Sequence, residues 1–550
     1  MTLKKKQPVV AYFSMEIAVA EDLNNYAGGL GILAGDILKA AADQKFPMVG
    51  ITLLNKLGYA YSAAKASGRR KDGLKKAFSF RGLKKMSPTV SVQIGNRQVV
   101  VGVWKYSLPA RSGTTTPVYF LDTDRPENEA ADRKLTDELY GGDLEYRLKQ
   151  EIILGRAGVR MLRALGYNQI KKIHLNEGHG ALAAVEFFLN LPPTTFVARL
   201  RETRRHCVFT THTSLPGAQD IFPLAYLLRH QPDFPGDSDK LVKNHQVNFT
   251  RVALYFSAYA NTVSRKHRPT VAALWPDYRI RAITNGVHLP TWTAPEFQKL
   301  YDKYFSGWRF KNNLLHRARK IPLTEIRTAH RLAKRRLLKY VATTSSEKLA
   351  ENVFTVGFAR RLVTYKRPGL LFRDIKQLLM TQARGGQIQI IYAGQAHPRD
   401  AAGQKLVGQI RRFKDELSGR IKMVFLEDYD MSTAKLLVAG VDLWLNTPLP
   451  PHEASGTSGM KAAANGVPQL STPDGWWPEA YVKNRTGWTI KEEADGRNNL
   501  YALLEKEILP LYYNQPEKWD KLMRSVIGRN ASFFNTERVL KQYIKEAYGR

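Results

Sequence analysis

A single cysteine, Cys207, stands in a chain of 550 residues. That excludes an internal disulfide and a thiolate zinc cage, and it suits a reducing compartment. Cys207 lies in Arg205–Thr210, which reads as a strand, so it is expected in the core. Long apolar runs are missing too. No stretch suffices to cross a bilayer, and Met1–Pro8 carries lysines without an apolar signal region, so a cytoplasmic protein with no membrane partner is expected. There is no G-x-x-x-x-G-K-[ST] loop, zinc finger, RNP signature or basic zipper.

Acidic residues are scarce: 49 Asp and Glu face 84 Lys and Arg, a formal charge of +35. Such an excess can mark nucleic-acid or membrane-surface partners. The charge is densest in the loop-like stretch Lys65–Lys85, opposed there by Asp72 alone, and in Arg317–Lys339, which has the spacing of a basic amphipathic helix. Without a nucleic-acid motif, the expectation is a generally basic surface, with polyanion binding secondary and nucleic acid disfavoured.

What is present is alternation. Hydrophobic residues form 43% of the chain, which argues against global disorder. Strands are expected at Val9–Met15, Phe46–Leu54, Val99–Trp104, Val118–Leu121, Ile173–Leu175, Val208–Thr211 and Ile280–Thr284, with helices at Leu148–Leu165 and Ala181–Leu191. The pattern resumes with strands at Val353–Phe358, Ile388–Ala393, Met423–Leu426, Leu443–Leu445 and Gln469–Ser471. Two such blocks predict an α/β protein of two Rossmann-like, doubly wound domains facing across a cleft. The polar run at Val341–Asn352 places the boundary near 347, giving domains 1–347 and 348–530 and a C-terminal helical segment, 531–550.

Two motifs carry chemistry. Glu453-Ala-Ser-Gly-Thr-Ser-Gly-Met-Lys461 opens with small residues whose amides can approach an anion and then turns helix-forming. Lys461 beside such a cradle suggests either neutralisation of a nucleotide phosphate or a Schiff base with a phosphorylated aldehyde such as pyridoxal phosphate. Upstream, Val356-Gly-Phe-Ala-Arg360-Arg361-Leu-Val-Thr-Tyr365-Lys366-Arg367 follows a strand, and Arg361 with Lys366 can converge on a dianion.

Together these segments resemble the α-glucan phosphorylase family in its short maltodextrin/glycogen form. So do Tyr12–Glu16, Asn25–Asp36, Leu139–Gln150, His174–His179, Thr211–Thr213, Asn285–His288, Ala393–Pro398 and Leu426–Tyr429, in order along most of the chain. The resemblance implies the glycosyltransferase B fold, with the final helix, Thr536–Ala547, packing back on the N-terminal domain. It implies pyridoxal phosphate on Lys461, acting through its phosphate, which Thr457, Ser458 and Gly459 would cradle. Arg361 and Lys366 would hold two phosphate groups together against their repulsion, and the Gly28–Gly29 backbone would approach the substrate phosphate. Glu453, Ser455, Gly456, Asn285 and Tyr365 would hold sugar hydroxyls, with His212 beside the transferred ring. His179, His288 and His397 would be loop or supporting residues, and Glu16 and Asp36 structural. The implied reaction is reversible phosphorolysis of α-1,4-glucan by inorganic phosphate to α-glucose 1-phosphate with retention. No metal is implied, and a homodimer is compatible.

No carboxylate pair of the kind a retaining hydrolase needs stands out. The chain departs from the family at Asn55, where a tyrosine near the cofactor ring is expected, and at Ala60–Arg70, which bears on acceptor recognition. Three rival readings follow: a sugar-nucleotide glucan synthase of the same fold, a non-enzymatic polyanion- or glycogen-binding protein, and an inactive homologue.

Overall fold

A computed structural model describes residues 9–23, 25–57, 79–213, 219–236, 239–396, 400–427, 429–493, 496 and 498–549. The chain forms two compact units. The first comprises Met1–Val263, Arg268–Ile283 and Val539–Arg550, and the second Ser264–His267 and Thr284–Arg538.

In chain order the strands of the first unit are β1 (Val9–Phe13), β2 (Met48–Leu53), β3 (Leu83–Lys85), β4 (Val90–Ile94), β5 (Arg97–Pro109), β6 (Thr115–Asp122), β7 (Ile170–Asn176) and β8 (Cys207–Thr210). They continue with β9 (Ile221–Pro223), β10 (Val242–Lys243), β11 (Gln246–Asn248), β12 (Tyr259–Thr262) and β13 (Ile280–Ala282). Ten of them build one sheet in the order β13-β12-β8-β7-β1-β2-β6-β5-β3, with β4 on β5. From β13 to β6 all pairing is parallel, and β5, β3 and β4 extend it antiparallel. Both faces of β1 are buried. Val9, Ala11 and Phe13 enter one core, and Val10 and Tyr12 enter another, as the side-chain alternation of a strand covered on two sides requires. Cys207 is buried at the start of β8, but Arg205 and His206 end the preceding helix, Phe196–His206, rather than begin the strand.

The second unit carries β14 (Phe354–Ala359), β15 (Ile388–Ala393), β16 (Lys422–Leu426), β17 (Leu443–Asn446), β18 (Gln469–Ser471) and β19 (Gly487–Thr489). They form a wholly parallel sheet in the order β16-β15-β14-β17-β18-β19. The molecule is thus an α/β protein of two doubly wound units, the two-domain glycosyltransferase B fold.

The chain changes units at 283/284, not at the expected 347/348. The cause is the helix Leu323–Thr344. Its Leu337 and Val341 are fully buried in one core with Ile391, Val424, Leu437 and Trp444, so the polar run after it only ends a helix already committed to the second sheet. At the other end, Val539, Leu540, Tyr543 and Tyr548 lie in the first unit's core with Tyr12 and Val208. The helix expected at Leu148–Leu165 begins earlier, at Leu144, where the Asp143 side chain accepts from the Tyr146 amide, and Ile153–Ala157 is a π-turn.

The expected basic helix spends part of its charge within the fold. On Leu323–Thr344, Arg327 pairs with Asp520, Lys334 with Asp442, Arg335 with Glu351 and Arg336 with Glu296. Residues 58–78, including most of the other basic stretch, lie outside the described residues. Among the described residues no helix is long and apolar enough to cross a membrane, and no His, Cys, Asp and Glu group could hold a metal ion.

Candidate active site

In an open parallel sheet, ligands bind beyond the strands' carboxyl ends where the strand order reverses. In the second unit that point lies between β14 and β17, neighbours that pair Val356 with Leu443 and Gly357 with Trp444. Arg360 follows β14, and the loop to Glu453 follows β17. The two connections are tied together. Arg367 Nε donates to the Thr447 carbonyl (2.9 Å), Thr447 Oγ1 to the Lys366 carbonyl (3.0 Å), and the Leu449 amide to the Tyr365 carbonyl (2.7 Å).

These ties deliver two cations to one buried carboxylate. Arg360 Nη2 lies 2.7 Å and Lys366 Nζ 3.0 Å from Glu453 Oε2. Burial alone would raise the Glu453 carboxyl, but Arg360 and then Lys366 outweigh it and bring the pKa to about 2. The Glu453 amide donates to Asp474 Oδ2 (2.8 Å). Asp474 shifts the other way, pushed up to about 6 first by burial and further by the Glu453 charge.

Arg361 is the arginine expected to act with Lys366. The structure puts Arg360 on Glu453 and leaves Arg361 exposed. Tyr365 is half-buried, with Lys366 Nζ 4.8 Å from its ring centroid. Asn285 is buried, and its carbonyl accepts from Arg538. Ser455 is buried with no partner for its hydroxyl, and Gly456 takes a φ of 78° against the Glu453 side chain.

Next along the chain, Thr457 precedes the helix Ser458–Ala463. At six residues that helix spans under two turns, so local amides matter there more than a macrodipole. Ser458 Oγ accepts from Trp444 Nε1 (3.2 Å). A Cβ at Gly459 would lie 1.6 Å from Gln469 Oε1, so the Gln469 side chain lies against the Gly459 backbone. Lys461 is buried, with Nζ 3.8 Å from the Trp292 ring centroid. Trp292 ends the helix Leu289–Trp292, and its carbonyl accepts from Asn465 Nδ2 (2.9 Å).

Arg360, Trp292, Asp474 and His267 join these residues without having stood out in the sequence. His267 is 1% exposed, and neither ring nitrogen has a hydrogen-bond partner. Burial lowers it to about 4 although Glu453 acts to raise it. Its amide donates to Ser264 Oγ (3.1 Å), which donates to the Ala454 carbonyl (2.7 Å). Nothing local in Ser264–His267 signals this, because the contact is 190 residues away in sequence.

In the first unit the strand order reverses between β1 and β7. At the carboxyl ends of β7 and β8, His212 Nε2 donates to Asn176 Oδ1 (2.7 Å), and Asn176 Nδ2 to Ser14 Oγ (3.0 Å). The His212 amide donates to Glu177 Oε2 (2.6 Å). Glu177 takes a φ of 77°, rare for a residue with a side chain, and burial raises its carboxyl. Beyond β1, Glu16 Oε2 accepts from the Ala27 (2.6 Å) and Gly28 (3.2 Å) amides, and Glu16 Oε1 from Tyr140 Oη (2.9 Å). The Gly28 amide is therefore engaged by a carboxylate. It is the open space over Gly28 and Gly29, where a Cβ would meet nothing within 4 Å, that suits an incoming group. Asn55, in the tyrosine's expected place, is fully buried and bonds through Nδ2 to Asn25 Oδ1 (2.9 Å). His179 pairs with Asp220, and His288 with Thr291. His397 and Ala60–Arg70 lie outside the described residues.

A family model described as carbohydrate phosphorylase matches residues 238–480, and one described as starch synthase catalytic domain matches 20–273. The chain is 34% identical to a maltodextrin phosphorylase of Thermococcus litoralis, over 100% of this chain and 71% of that protein. It is 34% identical to a glycogen phosphorylase of Aquifex aeolicus, over 99% and 86% of the two chains. An uncharacterized protein of Methanocaldococcus jannaschii is 32% identical over 98% of this chain and 99% of its own. At 34% identity to two phosphorylases over essentially its whole length, the chain belongs to the carbohydrate phosphorylase family.

Proposed function

We propose that the protein is an α-1,4-glucan phosphorylase, transferring the terminal glucose of a maltodextrin or glycogen chain to inorganic phosphate with retained configuration. The observation that carries this reading is Glu453, held ionised between Arg360 and Lys366, one short loop from the buried Lys461. An ionised carboxylate fixed by two cations is a hydroxyl acceptor, not a proton donor. The cations exceed it in charge, as a site for phosphate requires.

The residues around Lys461 fit pyridoxal phosphate. A buried amine lies on the face of an indole, the Gln469 side chain lies against the Gly459 backbone, and buried polar atoms of Gln469 and Trp476 lack partners. Lys461 would hold the group, with Thr457, Ser458 and Gly459 at its phosphate. When bound, it supplies a phosphate able to give and take back a proton. Arg361 and Lys366 offset the repulsion of a second phosphate, and the space over Gly28 and Gly29 admits its oxygens. Glu453, Ser455, Gly456, Asn285 and Tyr365 take the sugar hydroxyls, and His212, oriented by Asn176, stands by the transferred ring.

The test is release of glucose 1-phosphate from maltodextrin and inorganic phosphate by cofactor-loaded protein, with Lys461→Ala alongside. Product from the wild type alone is expected. Absence of product, or turnover with a sugar nucleotide instead, sinks the reading.

A further inference from the structure

His267 is an unclaimed polar group in the second unit. A histidine closed off from solvent with both nitrogens unpaired carries the desolvation penalty of two hydrogen-bonding groups. It does not stand alone. The Ser455 hydroxyl and Nε and Nη1 of Arg360 are also buried without partners, while Nη2 of that arginine holds Glu453. Ser455 lies two residues from Glu453. The link from Ser264 to the Ala454 carbonyl fixes His267 against the same loop.

The chemistry of this set is specific. Arg360 can only donate, and Glu453, ionised, can only accept. A neutral imidazole and a hydroxyl each do both. A fully ionised anion only accepts, so it would satisfy Arg360 and leave Glu453 and the acceptor nitrogen of His267 unmet. A polyol satisfies all of them, because each hydroxyl gives one hydrogen bond and takes others. Burial keeps His267 uncharged at neutral pH, so it does not compete with Arg360 and Lys366 for Glu453.

We infer that His267 is a specificity-determining residue that binds one hydroxyl of the transferred hexose, positioned by the Ser264–Ala454 hydrogen bond. This rests on the glucan phosphorylase reading above and adds to it a residue outside the two motifs.

The experiment measures binding of glucose 1-phosphate and its monodeoxy analogues to cofactor-loaded wild type, His267→Ala and His267→Gln, with cofactor absorbance and thermal melting as folding controls. His267→Ala is expected to bind glucose 1-phosphate roughly 10- to 100-fold more weakly, the range for a lost hydroxyl contact. For one deoxy analogue, the sugar lacking the hydroxyl that His267 holds, wild type and variant should bind equally. His267→Gln, which keeps a donor and an acceptor, should recover most of the affinity, and it carries the test if the alanine variant does not fold. Equal losses for every analogue would mean that His267 only supports the loop, and unchanged affinity in both variants would remove it from the site. Either result overturns the inference while wild-type turnover leaves the phosphorylase reading intact. A wild type that binds none of the sugars defeats both.

Discussion

At the residue scale, Glu453 and Asp474 are buried carboxyls joined through one backbone amide, with opposite shifts. A carboxyl depressed to about 2 contributes stability that is complete above the ordinary glutamate range and is lost as pH falls through 2; over that interval it amounts to about 3 kcal/mol. Asp474 acts in reverse. Raised to about 6, it binds its proton more tightly folded than unfolded, so stability declines as pH rises from about 4 to about 6, again by about 3 kcal/mol. Denaturant midpoints followed across pH should therefore fall over that interval in the wild type and stay level there in Asp474→Asn. Matching slopes in the two proteins would contradict the assignment. Glu453→Gln leaves the buried Arg360 and the half-buried Lys366 without a counter-charge, and a loss of about 3–5 kcal/mol is expected in the same measurement.

Why Arg361 and not Arg360 stands out in the sequence is also a residue-scale matter. Consecutive side chains at a strand end point to opposite sides, so one of the two arginines meets Glu453. Which one depends on where β14 stops, a one-residue question that periodicity does not answer. Glu453, Lys366 and Lys461 are legible because their types and spacing encode the chemistry. Trp292, Asp474 and His267 are not, since each joins the site through contacts distant in sequence.

At the element scale, two glycines that look alike in the sequence do different work. Gly35, on the helix Gly29–Asp43, backs onto the segment after β1, where a Cβ would stand 2.0 Å from the Ala18 carbonyl oxygen. Gly28 has an extended φ of −168° and open space. Gly35→Ala should force helix and segment apart and cost about 1–3 kcal/mol in a thermal or denaturant melt. Gly28→Ala should stay within about 0.5 kcal/mol of wild type yet weaken phosphate binding in a titration, because the methyl occupies the space an incoming oxyanion needs. A Gly28→Ala protein with unaltered phosphate affinity would take that loop out of the site. The parallel strands were legible as apolar runs between helical stretches, whereas β5, at 13 residues, outgrows the Val99–Trp104 run because its first residues pair with the half-exposed β4 and its last, through Pro109, with the start of β6.

At the scale of the whole molecule, the chain's last residues complete a core built at its start. Tyr543 and Tyr548 are nearly fully buried beside His174. Tyr548 Oη is 2.6 Å from His174 Nδ1, and Tyr543 Oη is 3.0 Å from Thr210 Oγ1 and 3.1 Å from Asn261 Nδ2. These bonds close the carboxyl-end half of β7, β8 and β12, the strands that carry Asn176 and lead into His212. The apparent boundary at 347 was misleading for a related reason. A polar run shows where an element ends, but membership in a unit is decided by which core the flanking apolar faces enter. Removing Val539–Arg550 strips the first unit of two large aromatic side chains. At about 3–5 kcal/mol for each buried aromatic truncated, the loss is comparable to the net stability of a typical domain, about 5–15 kcal/mol. A chain ending at Arg538 should therefore exchange its amide hydrogens rapidly in β1, β7 and β8 while β14, β15 and β17 remain protected. Equal protection of both sheets in the shortened chain would show that the first unit holds its core without its C-terminal segment.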